Sequence, residues 1–84
     1  MKVIEGEVVG IRKNGIVIVV ETEDEKHIFC DINDSWSKGL DVELGDRVEI
    51  PIDDSPYGFY IDDDKNKVFI SQEEITINGE KFVV

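Results

Sequence analysis

Apolar and polar residues alternate with a period of two along almost the whole of this 84-residue chain, and no stretch carries a helical period. A chain patterned in this way buries an apolar face only as β-strands, whose side chains point alternately to opposite sides. The first strand is expected from Val3 to Arg12, with Ile4, Gly6, Val8 and Gly10 on one face and Val3, Glu5, Glu7, Val9 and Ile11 on the other. Glycines on one face of a long strand suit a bend or a close backbone approach. Asn14-Gly15 then supplies the positive-φ residues of a tight hairpin turn. Ile16–Glu21 opens with five consecutive β-branched residues, which predicts a central strand covered on both faces.

The same reading places strands at Lys26–Ile32, Arg47–Ile52, Gly58–Ile61, Lys67–Ser71, Glu74–Ile77 and Lys81–Val84, separated by polar turns at Thr22–Glu25, Asp62–Asn66 and Asn78-Gly79. In Arg47–Ile52, Val48, Ile50 and Ile52 are expected to point inward and Arg47, Glu49 and Pro51 outward. Pro51 lacks a backbone donor, so its position should face an edge or a bulge. Asn33–Asp46 is the longest irregular segment, where Asp34 or Ser35 could cap a short helical turn. Short strands at this spacing predict an all-β fold, a small antiparallel β-barrel of about five to seven strands, in a single domain spanning residues 1–84.

Glu5-Gly6-Glu7-Val8, Asn14-Gly15-Ile16-Val17-Ile18, Leu44-Gly45-Asp46-Arg47-Val48-Glu49-Ile50 and Lys67-Val68-Phe69-Ile70-Ser71 follow one another as the signals of an S1-type domain do. Over residues 5–71 the chain therefore resembles the S1-like branch of the OB fold, although an SH3-like or other small barrel accounts for the same punctuation. The resemblance implies the barrel, and implies RNA binding through aromatics and a histidine on the strand 2–3 face. At the corresponding positions this chain has Asn14, Val17 and Cys30. None offers a stacking platform, and stacking is worth about 1–3 kcal/mol per base in such sites.

Charge restricts the partners further. The chain carries 20 Asp and Glu against 9 Lys and Arg, a formal net charge of −11. Binding a polyanion requires cations to neutralise phosphates and release counterions, so this balance disfavours nucleic acid. A nucleic-acid-binding OB/S1-like domain remains the alternative reading, and it needs Lys2, Arg12, Lys13, Lys26 and Lys38 to gather on one face. The longest apolar run, Ile16–Val20, is far too short to span a membrane, and no apolar leader opens the chain, so a cytoplasmic location is expected.

Candidate chemistry is sparse. His27 and Cys30 lie three apart on one strand and should point to opposite faces, so no local dyad forms and no catalytic residue is assigned. One cysteine and one histidine cannot build a zinc cluster. Asp62, Asp64 and Asn66 have the spacing of a calcium loop, with Glu73 at its twelfth position. Lys67 stands where such a loop needs glycine, and the flanks read as strands, so a solvated hairpin turn is expected, with no metal or cofactor.

The remaining signal is acidic and aromatic. Trp36, Asp53, Asp54, Tyr57, Tyr60, Asp62, Asp63 and Asp64 form the candidate partner-binding set, because tyrosine and tryptophan flanked by carboxylates make anchors for a protein partner. The expected function is a non-enzymatic acidic module that binds a basic protein, including as a mimic of a nucleic-acid backbone. Lys81–Val84 could pair with a second copy or close the barrel, which leaves the oligomeric state open.

Overall fold

The computed structural model describes residues 2–32, 42–72 and 74–83. Eight strands form one sheet: β1 (Lys2–Arg12), β2 (Val17–Glu21), β3 (His27–Asp31), β4 (Arg47–Ile52), β5 (Phe59–Ile61), β6 (Lys67–Ile70), β7 (Glu74–Ile77) and β8 (Glu80–Val83). Their order across the sheet is β5-β6-β3-β2-β1-β4-β7-β8. Every neighbouring pair is antiparallel except β3 and β6, which run parallel.

The all-β expectation holds, with two corrections. There are eight strands rather than five to seven, and the sheet is not closed into a barrel. Both follow from where the short strands pair. β7 occupies the outer edge of β4 opposite Val48 and Glu49, so the chain leaving β6 reaches β4 only at its end. There Ile52 and Ser71 form a single bridge, and the Gln72 N–H donates to the Pro51 carbonyl at 2.8 Å. β5 and β8 remain as the two sheet edges.

A lone sheet buries an apolar face only by curling around it. Ile4 and Val8 of β1, Ile18 and Val20 of β2, Cys30 of β3, Val48, Ile50 and Ile52 of β4 and Ile75 and Ile77 of β7 converge in one core, joined by Ile32. Gly6 makes the curl fit. A Cβ at this residue would overlap the Glu21 carbonyl oxygen, so glycine lets β1 press against β2 where the two strands begin to diverge.

One face assignment changes. The β1–β2 register shifts between Val8 and Gly10, leaving Val9 as a bulge. Val8 stays with the core opposite Val20, but Gly10 now pairs with Val19 and Ile11 with Ile18. The strict alternation expected through Gly10 and Ile11 therefore breaks at one residue. Pro51 stays on the outer face, opposite Val3, but is buried there. Its nitrogen points away from β1, beyond the reach of β7, so no ladder bond is lost.

β2 is covered on both sides, as its composition predicts. Val17 and Val19 are buried but belong to the outer face, in rows with Phe29 and Asp31 of β3 and Val68 of β6. The lid over this second layer is the chain itself: Arg12 stacks 5.4 Å from the Phe29 ring centroid and is ion-paired with Asp64 in the β5–β6 turn. The turns also match: Asn14 and Gly15 both take positive φ, as do Asn78 and Gly79.

Gly6→Ala should destabilise the chain by about 1–3 kcal/mol, the range for overpacking a close contact. A lowered urea midpoint with an unchanged slope would confirm it; a neutral substitution would show that β1 and β2 can separate at this point.

Candidate functional site

The structure divides the sequence-derived site residues into groups with different work. Trp36 lies outside the described residues, as do Asp34, Ser35 and Lys38. Asp62 is buried and occupied by its own turn: its carboxylate accepts from the Asp64 N–H at 3.0 Å, the Asn66 N–H at 2.8 Å and the Asn66 side-chain amide at 3.4 Å. Burial opposes its charge, but the Asn66 and Asp64 hydrogen bonds together outweigh that, and Asp62 sits below the usual aspartate range. With Asp62 N–H bonded to the Asn66 carbonyl at 3.0 Å, this is the expected hairpin turn. The residue at the twelfth position of the calcium spacing, Glu73, lies outside the described residues.

Asp53 is also committed. Its two carboxylate oxygens accept from the Ser55 N–H and hydroxyl, both at 2.9 Å, and these bonds lower its pKa. Gly58 packs so closely on the Asp53 carbonyl that a Cβ would overlap it, and the Gly58 N–H donates to Ser55 at 3.1 Å. This tight turn lifts Tyr57 to its tip, 91% exposed, next in the chain to Pro56. Tyr60, by contrast, is half-buried and its hydroxyl donates to Asp31 at 2.6 Å. Asp54 and Asp63 are exposed, and Asp64 is spent on Arg12. Of the set, Tyr57, Asp54 and Asp63 are the side chains presented outward.

A stronger acidic surface lies elsewhere, on the outer face of β1 and β4. Register builds it row by row. His27, Glu21, Glu7 and Arg47 stand side by side across β3, β2, β1 and β4. The next row runs Glu5, Glu49, Thr76 and Lys81 across β1, β4, β7 and β8. His27 Nε2 lies 3.0 Å from Glu21, and the Lys81 ammonium is held by Glu74 at 2.7 Å. Glu5 and Glu49 face one another directly. Their mutual hydrogen bond, together with charge repulsion, raises the Glu5 carboxyl above its ordinary value.

Sequence reasoning missed this plate because it looked for acids adjacent in the chain. Glu5, Glu7, Glu21 and Glu49 meet only through strand register. The available signal was their outward position in each alternating strand, which does not say which strands are neighbours.

Of the positions that the S1 resemblance marks, Val17 and Cys30 are closed to a ligand and only Asn14 is exposed. Val17 is 1% exposed under the Arg12–Asp64 lid, Cys30 is in the core, and Asn14 sits in the turn after β1. Burial pushes the Cys30 thiol up to about 12, far from a reactive thiolate, while His27 is on the opposite face. Among the described residues, no three His, Cys, Asp or Glu side chains are grouped so as to hold a metal ion. No helix among them is long and apolar enough to cross a membrane. No family model matches the chain, no curated protein is similar enough to match it, and no solved structure matches its fold.

The two kinds of carboxylate give opposite pH responses. Asp24, Asp46, Asp53 and Asp62 have lowered pKa values, so they stabilise the fold above the unfolded value of about 3.9 and cease to do so as pH falls through their folded values. Glu5 has a raised one, so the folded state binds the extra proton and stability climbs as pH drops from neutral towards about 4.3. Urea midpoints across pH should therefore peak in mildly acidic solution. Glu49→Gln should raise the midpoint at neutral pH and flatten the climb; an unchanged profile in that variant would show that the Glu5–Glu49 contact does not govern it.

Proposed function

We propose that this chain is a non-enzymatic binding module whose acidic sheet face receives a basic protein. The observation that carries this reading is the placement of Glu5 directly across from Glu49, with Glu7 and Glu21 in the adjoining row. Like charges directly opposite one another destabilise a sheet, and nothing in the core depends on them. A cationic partner relieves that repulsion and gains from it. The five carboxylates Glu5, Glu7, Glu21, Glu49 and Glu74 have Arg47 and Lys81 among them, while Lys2 and Arg12 stand at the two ends of β1 and Arg12 is paired with Asp64. Tyr57 adds an exposed aromatic anchor on a hydrogen-bonded turn, the type of side chain that concentrates binding energy.

The architecture we favour is a partly open OB-like barrel. β6, β3, β2, β1 and β4 succeed one another around the core, and the two ends of that series meet at the Ile52–Ser71 bridge. Within such a frame the nucleic-acid reading loses its means of binding. Lys2 and Arg12 stand at opposite ends of β1, roughly 30 Å apart along an extended strand. Arg12 is neutralised by Asp64, and Lys26 lies 3.5 Å from Asp24. Lys2 and Lys26 share one cleft, but Arg12 and Lys13 stand at the far end of β1, so the four among the described residues do not gather on one face. A surface of this charge could also stand in for a nucleic-acid backbone towards a protein that binds one.

Retention of lysate proteins on the immobilised chain, with and without nuclease, tests this. Basic proteins should be retained at low salt, released as salt rises, and unaffected by nuclease. The Glu5→Gln/Glu7→Gln/Glu49→Gln variant should lose them, and Tyr57→Ala should weaken capture without changing stability. Retention that nuclease abolishes would instead favour the nucleic-acid-binding alternative.

A further inference from the structure

The outer edge strands are not the only open backbone in this sheet. The Val8 N–H donates to Asp46 and the Val8 carbonyl accepts from Gly45, both at 2.8 Å, so Val8 bonds towards β4. Backbone direction alternates along a strand, so Gly6, Ile4 and Lys2 also bond towards β4 while Glu7, Glu5 and Val3 bond the other way. Glu7 finds Glu21 of β2, and there the β1–β2 pairing ends. Val3 and Glu5 then face a cleft of about 330 Å³ bounded by Lys2–Glu5, Thr22–Asp24, Lys26 and Ile28. Among the described residues, no strand pairs with them on this side.

We propose that the basic partner docks here as an added strand, an extended segment exchanging backbone hydrogen bonds with Val3 and Glu5. This deepens the acidic-module reading and rests on it. The chemistry of the cleft specifies the segment. A residue paired with Glu5 points outward, into the row that already holds Glu5 and Glu49, so lysine or arginine fits there. The neighbouring residue, paired with Ile4, points inward over buried Ile4 and half-buried Ile28, so an aliphatic side chain fits. Glu23 and Asp24 add acid to the far wall, with Lys26 partly matched to Asp24. Lys2 also lines the cleft, so its acids Glu5, Glu23 and Asp24 outnumber Lys2 and Lys26, and alternating basic and aliphatic residues in an extended chain fit that balance. The cleft has the volume of roughly ten waters, enough for a short segment rather than a folded domain. Main-chain bonds supply affinity in such strand addition, and alternate side chains supply selectivity.

Amide hydrogen exchange on the full chain tests this directly. In the free protein, Val3 and Glu5 should exchange rapidly and Ile4 and Gly6 slowly. Slow exchange at Val3 and Glu5 in the free chain, or concentration-dependent self-association that protects them, would mean the edge is already occupied and would overturn the proposal. A blocked Lys-Val-Lys-Val-Lys peptide should then slow exchange at Val3 and Glu5 by about tenfold or more. The same peptide methylated on the backbone nitrogens of its lysines, which in this register face Val3 and Glu5, keeps the charge but cannot supply the donors and should leave them fast. If both peptides bind equally and neither protects Val3 or Glu5, the acidic face stands and strand addition fails. If neither binds at low salt, both readings fall. Val3→Pro removes a donor that faces the cleft and not β4, so it should abolish protection of Glu5 by the unmethylated peptide while Ile4 and Gly6 stay slow. Should that variant unfold, the exchange pattern of the unmodified chain decides alone.

Discussion

One sheet, with no long helix among the described residues to cover it, must bury its apolar face against itself. Every other feature follows from the bending this demands. Gly6 allows β1 to press on β2 at Glu21, and the bulge at Val9 re-phases β1 so that Ile11, still exposed near the end of the strand, pairs with core Ile18 while Gly10 crosses to the outer side. Bulges bend a strand and increase its twist, which is what a sheet curling around a core of isoleucine and valine requires. The same bend ends the β1–β2 pairing at Glu7 and exposes the edge of β1 beyond it. The open edge is thus a geometric consequence of how the core is made.

The outer surface divides into two regions of opposite character. Across β2, β3 and β6 the chain lays its own side chains over Val17, Val19 and Val68, held by the Arg12–Asp64 ion pair, the stacking of Arg12 on Phe29 and the Tyr60–Asp31 hydrogen bond. Across β1 and β4 no such lid is present among the described residues, and carboxylates stand in adjoining rows. An apolar outer layer is sealed from within, whereas a repulsive one stays open to solvent. That contrast locates the surface available to a partner more sharply than total charge does.

Strand positions, turn residues and the double coverage of β2 were legible in the sequence because each depends on local patterning. Asn14-Gly15 and Asn78-Gly79 announce their turns through positive φ, and the unbroken run Ile16–Val20 announces its burial. What depends on pairing was not legible. The parallel contact of β3 with β6 joins residues almost 40 apart, as Phe29 with Val68 shows. The acidic plate requires knowing that β1 lies between β2 and β4. Acids adjacent in the chain proved a poor guide for the same reason: Asp53 and Asp62 use their carboxylates to hold their own turns, as aspartates at turn positions do.

An exposed strand edge is ordinarily a hazard, since any other strand can pair with it. In the binding mode proposed above, charge decides which strands are admitted. A second copy of this chain brings another net −11 and the same row of glutamates, so self-pairing at β1 is opposed before any backbone contact forms. A cationic segment meets the reverse field and relieves the Glu5–Glu49 contact as it binds. Repulsion of the wrong strand and attraction of the right one come from the same carboxylates, and selectivity built from such a difference needs no deep pocket. On that proposal, the repulsion between Glu5 and Glu49 in the free chain is the physical source of discrimination.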